Sequence, residues 1–181
     1  YDIHVATSME EYAALAGALR REGFRVRLVN IREDLGMLQR ALTRPRPDVV
    51  FNLIEHFHDD PKLEMAVANL FELYRLPYTG APAFALALCQ RKGLTKQVLL
   101  ANGVPTPRFL LLKSPQLPKR LGLRFPLIVK PGREDASSGV EKDSVVFDAD
   151  MLRARVEKLS AEFPPPLLIE EFIEGRELHV S

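Results

Sequence analysis

The sequence has little of what would place it in several common classes of protein. Its single cysteine, Cys89, excludes an internal disulfide. Lys and Arg number 25 against 24 Asp and Glu, so no basic excess predicts nucleic acid or an anionic membrane surface as a partner. The longest apolar runs, residues 49–54 and 126–129, are far shorter than the ~20 residues of a membrane-spanning helix. These features predict an ordinary soluble globular protein.

Three further signals are missing. The first residues show no basic flank followed by an apolar signal core, so the cytoplasm is the expected compartment. Cys89 ends the apolar run 84–89, and we expect a small buried side chain there rather than a nucleophile. Neither GxxxxGK[ST] nor GxGxxG occurs, which excludes a P-loop and a Rossmann dinucleotide cradle.

The first half of the sequence alternates short apolar runs with helical patterns. Strands are predicted at residues 3–6, 24–29 and 49–54, and helices at residues 10–22, 35–42 and 63–74. Asp34 is placed to cap the second helix. This order predicts an α/β domain over residues 1–88, with a parallel sheet flanked by helices.

The pattern changes after Gly80. Helices are predicted at residues 83–89, 94–102 and 150–163, and strands at residues 109–112, 127–130, 145–147 and 167–170. Pro105 and Pro107 make a rigid link ahead of these strands. We therefore expect a second, α+β domain over residues 89–181. Because residues 176–181 begin a strand without ending it, we expect the chain to be part of a longer protein.

Two segments carry candidate chemistry. The strand at 127–130 delivers Lys130 to a loop of small residues, 131–140, whose N–H groups and hydroxyls could close over phosphate oxygens. The alternative is a surface lysine before a hairpin. The segment 167–177 leaves a strand with Glu170 and Glu171 and later offers Glu177, a set of acceptors for the amino and hydroxyl groups of a nucleoside. The alternative is a solvated acidic hairpin.

Several short motifs occur in a fixed order along the chain. They lie at residues 77–80, 86–96, 103–107, 125–131 and 169–177. In order and spacing over residues 48–180 they resemble those of D-alanine:D-alanine ligases of the ATP-grasp superfamily, and several motifs together are more specific than one. The resemblance implies an N-terminal α/β domain and an α+β ATP-grasp central subdomain, with the C-terminal ATP-grasp subdomain missing from this sequence.

The resemblance also implies roles for individual residues. Lys92 and Lys130 match the lysines that touch the ATP phosphates, and Lys130 also lies near adenine. Ser137, Ser138 and Gly139 match the loop that closes over the triphosphate. Glu170, Glu171 and Ile173 match the linker that grips adenine, with Glu170 facing its exocyclic amine, and Glu177 matches the ribose carboxylate. Lys96, one helical turn beyond Lys92, is expected to contribute little.

Other parts of the family pattern are absent or altered. The magnesium ligands of the family would lie downstream of Ser181, so no metal ligand and no catalytic residue is assigned here. Residues 6–11 only faintly match the segment that holds the first D-alanine. His56, His58, Asp59 and Asp60 could suggest a metal site, but we favour a substrate-facing or merely polar loop.

The resemblance implies an ATP-dependent carboxylate-amine ligase that forms an amide bond through an acyl phosphate, using ATP and magnesium. Its substrate would be a small amino acid or peptide, and a homodimer is a possible assembly. The alternatives are a nucleotide-binding module without ligase chemistry and a ligase for a different amino acid or peptide. We expect the fragment by itself to be inactive.

Overall fold

The computed structural model describes residues 9–31, 34–134, 139–176 and 178. The chain divides into two compact units, residues 1–48 and 49–181. The domain boundary expected after residue 88 stays a prediction. None of the helices in the described residues is long and apolar enough to cross a membrane.

Over residues 9–31 and 34–48 the first unit contains two helices, α1 (Met9–Arg21) and α2 (Leu35–Thr43). The side chain of Asp34 accepts a hydrogen bond from the N–H of Met37 at 3.0 Å, which caps α2 as predicted. Leu38 and Leu42 are buried on one stripe of this helix. Both helices therefore lie where the apolar periodicity predicted them.

The second unit contains four helices and a four-stranded sheet in its described residues. The elements are α3 (Glu64–Leu73), α4 (Ala83–Cys89), α5 (Lys92–Ala101), β1 (Phe109–Leu112), β2 (Leu127–Pro131), β3 (Val145–Val146), α6 (Ala149–Glu162) and β4 (Leu167–Glu171). Short 3-10 turns precede α3 and β3, at Pro61–Leu63 and Lys142–Ser144. The strand order is β1-β4-β2-β3, and every neighbouring pair is antiparallel. This arrangement fits the α+β architecture predicted for the second half of the chain.

The predicted N-terminal parallel sheet is wrong for the residues that can be assessed. Residues 24–29 form no strand, and residues 49–54 pair only through a single parallel bridge between Val50 and Tyr78. Residues 3–6 lie outside the described part. Apolar alternation indicates a strand but not its partner, and Val49, Phe51 and Leu53 remain about half exposed.

A second correction concerns Cys89. The apolar run 84–89 predicted a buried thiol, but Cys89 is exposed as the last residue of α4. Only Ala83 of this helix is buried. A continuous apolar run does not show which side of a helix faces the core, so the prediction of a buried Cys89 was wrong.

The two faces of the sheet have different surroundings. Leu127 and Val129 of β2, with Leu167 and Ile169 of β4, pack in one core with Leu152, Val156 and Leu159 of α6. The alternate residues point to the opposite face because successive side chains in a strand alternate. There α5 approaches so closely that a methyl group added to Gly93 would lie 2.3 Å from Cδ1 of Leu111. This second face carries the polar residues of the candidate site.

Candidate nucleotide site

Glu170 is the centre of a charged cluster on the α5 side of the sheet. Its strand neighbours are Phe109 of β1 and Ile128 of β2. One carboxylate oxygen, Oε2, lies 2.8 Å from the ammonium of Lys96, and the other, Oε1, contacts the ammonium of Lys130. The Glu170 and Lys96 side chains are each 9% exposed, whereas Lys130 is 23% exposed. A buried carboxylate is therefore held by two cations, one on each oxygen.

This arrangement keeps Glu170 charged. Burial acts to raise the pKa of the carboxyl, but hydrogen bonds from Lys130 and Lys96 outweigh it and hold the pKa below the usual range of a glutamate. A buried carboxylate without such partners would take up a proton instead. Glu170 is thus an ionised acceptor at neutral pH.

The sequence analysis did not predict that Lys96 belongs to the Glu170 cluster. Its ammonium contacts Glu170, hydrogen-bonds Oγ1 of Thr106 at 2.5 Å and lies 5.1 Å from the centre of the Phe109 ring. The side chain of Lys96 is buried in the cluster rather than solvated, and the expectation that Lys96 contributes little to ATP binding stays a prediction. The available signal was its spacing: Gly93 and Lys96 are three residues apart and form the buried stripe of α5.

Lys92, one turn earlier on the same helix, contacts a different part of the site. It is the first residue of α5; its N–H donates to the carbonyl of Gly132 at 3.2 Å and its ammonium donates to the carbonyl of Glu134. Gly132 and Glu134 follow β2 directly, two and four residues after Lys130. The structure therefore places Lys92 against the loop that follows β2, the strand that carries Lys130.

The turn after β2 is fixed from two sides. The N–H of Gly132 donates to the carbonyl of Pro166 at 2.9 Å, and a Cβ at Gly132 would lie 2.6 Å from that oxygen. This position therefore has no room for a side chain. The main chain next to Lys92 is held by β4 as well as by α5.

Gly139 marks the other end of the small-residue loop. Its φ is +71°, and a Cβ there would lie 2.6 Å from Cγ of Pro131, so the chain returns against the end of β2. The carbonyl of Gly139 accepts a hydrogen bond from Arg155 at 2.7 Å. Ser137 and Ser138 lie outside the described residues.

Arg155 connects this point to α6. The guanidinium is buried and donates to Glu141 at 3.1 Å, to Asp143 at 2.8 Å and to Oγ of Ser144 at 2.7 Å, in addition to Gly139. Lys158, on the same helix, contacts both carboxylates, at 2.7 and 3.2 Å. Lys158 first, then Arg155, holds the pKa of Glu141 below its usual range. The segment after Gly139 is therefore pinned to α6.

Glu171 points away from Glu170. Its carboxylate accepts a hydrogen bond from the N–H of Arg124 at 3.0 Å and lies 3.4 Å from the Arg124 guanidinium and 3.7 Å from that of Arg108. These contacts, led by the Arg124 N–H, lower the pKa of Glu171. Two residues on, the side chain of Ile173 is 67% exposed. Of the predicted linker residues, only Glu170 turns its side chain to the lysines; Glu177 lies outside the described part.

The histidine loop shows local turn geometry. Phe57 and Asp60 form an antiparallel bridge, and His58 and Asp59 both have φ of +54° between them. Across the residues the structure describes, no group of three or more His, Cys, Asp or Glu side chains could hold a metal ion. Among the described residues the loop therefore gives no support for a metal site.

Comparison with known proteins gives this geometry a context. No protein-family model matches the chain. A D-alanine–D-alanine ligase from Xylella fastidiosa is 38% identical over 183 residues, covering 97% of this chain and 59% of that protein. The chain thus spans a little more than half the length of this relative.

Solved structures agree in fold. A D-alanine–D-alanine ligase from Bacillus anthracis complexed with ATP superposes with a TM-score of 0.69 at 21% identity, over 94% of this chain and 56% of that one. An L-amino acid ligase from Bacillus licheniformis gives 0.57 at 25% identity, over 81% of this chain and 32% of that one. The chain belongs to the ATP-grasp superfamily and is D-alanine:D-alanine ligase-like over the part of those ligases that it spans.

Proposed function

We propose that this chain carries the nucleotide-binding part of an ATP-dependent carboxylate-amine ligase. The observation that carries the proposal is the Glu170 carboxylate, kept ionised by Lys96 and Lys130 on the face of the sheet that α5 covers. ATP offers matching groups of both kinds, since its adenine amine donates hydrogen bonds and its phosphates accept them from ammonium groups. The family to which the chain belongs supports the choice of ATP over other nucleotides.

Each residue then has a definite task. Lys130, the more exposed lysine of the cluster, and Lys92, beside the turn after β2, supply positive charge for phosphate oxygens. Glu170 accepts from the exocyclic amine of adenine, and the exposed Ile173 offers apolar surface to the base. Because Arg124 and Arg108 hold the side chain of Glu171, a contact from that residue would come from its main chain. The roles of Ser137, Ser138, Gly139 and Glu177 stay predictions.

The reaction proposed for the complete protein has two steps. A substrate carboxylate oxygen attacks the γ-phosphorus of ATP, which gives an acyl phosphate and ADP; an amine then attacks the acyl carbon, and phosphate leaves as the amide forms. Ammonium groups near the phosphates neutralise the charge that gathers on the transferring phosphoryl group. The described residues offer no group of side chains that fits magnesium, and the family's magnesium ligands are expected downstream of Ser181.

The substrate is proposed to be an amino acid or small peptide not restricted to D-alanine. Residues 6–11 lack the recognisable D-alanine pattern, and a solved neighbour is an L-amino acid ligase. A panel of D- and L-amino acids in a phosphate-release assay of the complete protein tests this. Clear preference for D-alanine over every other substrate would contradict it. If no amino acid on the panel supports phosphate release, a nucleotide-binding module without ligase chemistry is favoured.

We also propose that residues 1–181 by themselves do not turn ATP over, because the family's magnesium ligands are expected downstream of Ser181. ATP-dependent phosphate release by a pure preparation of this segment would contradict that. A cytoplasmic location and a homodimer stay expectations.

Calorimetric titration with a non-hydrolysable ATP analogue tests the nucleotide site. Loss of a charge-assisted contact is worth ~1.5–3 kcal/mol, so Lys130→Ala should weaken binding by about tenfold or more. Lys113→Ala is the matched control, since this exposed lysine directly follows β1, the strand parallel to β2 across β4. It should bind like the parent. Equal binding by parent and Lys130→Ala, with normal thermal melts, would show that the nucleotide lies elsewhere.

A further inference from the structure

The two lysines on Glu170 are held very differently. Lys96 has a second hydrogen bond, to Thr106, and lies against the Phe109 ring, and its side chain is 9% exposed. Thr106 lies between Pro105 and Pro107, whose rings restrict the main chain around it. Lys130 is 23% exposed, at the penultimate residue of β2. Lys96 is therefore the fixed partner of Glu170, and Lys130 is the partner that can leave.

Lys130 can leave Glu170 only if another cation remains beside the buried carboxylate. If Lys130 turns to an anion, Lys96 is the cation that remains on Glu170. With Lys96 in place, one ammonium remains 2.8 Å from Oε2 while Oε1 becomes free to accept from a neutral donor. Without Lys96, Lys130 would have to stay on Glu170, or Glu170 would be left as an unpaired buried charge, which is strongly unfavourable.

We propose that Lys96 is a positioning residue of the nucleotide site, which holds the Glu170 carboxylate in place when Lys130 turns to a phosphate. The inference rests on the proposed function and adds a residue that acts only through Glu170. It explains why a lysine, rather than an apolar side chain, occupies the buried stripe of α5. It also gives the two lysines on α5 separate tasks: Lys92 faces the turn after β2, and Lys96 faces the carboxylate.

The test measures selectivity, which a merely structural role would not change. Adenine carries an exocyclic amine that donates to Glu170, whereas hypoxanthine carries an oxygen in its place. Non-hydrolysable analogues of ATP and of inosine triphosphate are titrated into the complete protein and its variants. Lys96→Met should bind the ATP analogue more weakly and lose about tenfold of the preference for ATP. Lys96→Gln, which keeps an N–H donor but no charge, serves if Lys96→Met does not fold, and the same loss is expected.

A ligand-free measurement separates this inference from the proposed function. Glu170 is faced by Lys96 from α5 and by Lys130 from β2, and the carbon-13 signal of its carboxyl reports its protonation. In Lys96→Met or Lys96→Gln this carboxyl should titrate at higher pH than in the parent. Thermal melts show that the variants are folded.

The outcomes are distinct. A parent that binds neither analogue while Glu170 titrates as expected would overturn the proposed function and, with it, the role of Lys96 toward a nucleotide. A parent that prefers the ATP analogue, together with a Lys96 variant of equal preference, would overturn the role of Lys96 alone. A variant with reduced preference and a raised Glu170 titration supports it.

Discussion

Gly93 and Leu111 are in direct contact across the interface between α5 and β1. A Cβ at Gly93 would lie 2.3 Å from Cδ1 and 2.8 Å from Cγ of Leu111. The absence of a side chain at this one position lets the helix approach the sheet closely enough for Lys92 and Lys96 to reach their partners.

Gly93→Ala should therefore destabilise the protein. Overpacking typically costs ~1–3 kcal/mol, which exceeds the ~1 kcal/mol that alanine gains over glycine in a helix. Urea unfolding should show a net loss, and the ATP analogue should bind more weakly because both lysines shift with the helix. Gly17→Ala is the matched control in α1, where the nearest atom to a new Cβ is Nη1 of Arg21 at 3.6 Å. A stability gain in Gly93→Ala equal to that of Gly17→Ala would contradict the packing account.

Arg155→Met should destabilise the protein more than the loss of an exposed arginine does. The buried guanidinium makes four hydrogen bonds, and its loss leaves half-exposed carboxylates that water can solvate, so we expect a loss of about 1–3 kcal/mol. Arg153→Met is the control two residues earlier, where an exposed arginine pairs with Asp150 at 2.9 Å. It should stay within ~0.5 kcal/mol of the parent. Similar losses in the two variants by urea unfolding would refute the distinction.

The Glu170 cluster predicts an acid-side loss of stability. The pKa of Glu170 is lowered in the folded protein, so its contribution is complete above the unfolded value of ~4.3 and is lost as pH falls through the folded pKa. Glu170→Gln has no such titration. As the pH falls below about 4.3, the unfolding free energy of the parent should therefore fall relative to that of Glu170→Gln. A difference that stays constant from neutral pH to pH 3 would show that Glu170 is not held ionised.

Tyr78 predicts an effect at the opposite end of the pH scale. Burial first, then the hydrogen bond to Glu72 at 2.8 Å and the charge of that carboxylate, raises the pKa of the Tyr78 phenol. A raised pKa means that its stabilising contribution is present below the ordinary value of ~10 and is lost as pH rises through the folded one.

Ultraviolet titration at alkaline pH can follow that phenol, with Tyr78→Phe to assign its step. Glu72→Gln should move the Tyr78 step down toward, but not to, an ordinary tyrosine, because burial remains as a cause. An unmoved step would mean that the carboxylate has no influence on the phenol.

The sequence predicted most of the second unit because its signals are local. The helix expected at residues 150–163 is observed as Ala149–Glu162, and the strand expected at 127–130 is observed one residue longer, as Leu127–Pro131. Lys130 and Glu170 were found for the same reason, since each lies at the end of a recognisable strand. The structure then shows these two side chains in contact.

What sequence could not predict depends on contacts between distant parts of the chain. Lys96 shares the buried stripe of α5 with Gly93, but its partners Glu170, Thr106 and Phe109 lie on other segments, and helical spacing does not identify them. Glu170 and Glu171 look equivalent in sequence, yet alternation along β4 sends one to the lysines and the other to Arg124. The strands predicted at residues 24–29 and 49–54 failed because a strand needs a neighbour that apolar alternation does not identify.

The placement of both Lys92 and Lys96 on α5 has a mechanical consequence. One turn separates them, so a rigid displacement of the helix would move the cation beside the loop after β2 and the cation on Glu170 by the same vector. In the proposed nucleotide site, phosphate affinity and base selectivity would then change together under any substitution that slides the helix, even one remote from the nucleotide. The two properties would separate only when a substitution alters one lysine and leaves the axis of the helix where it was.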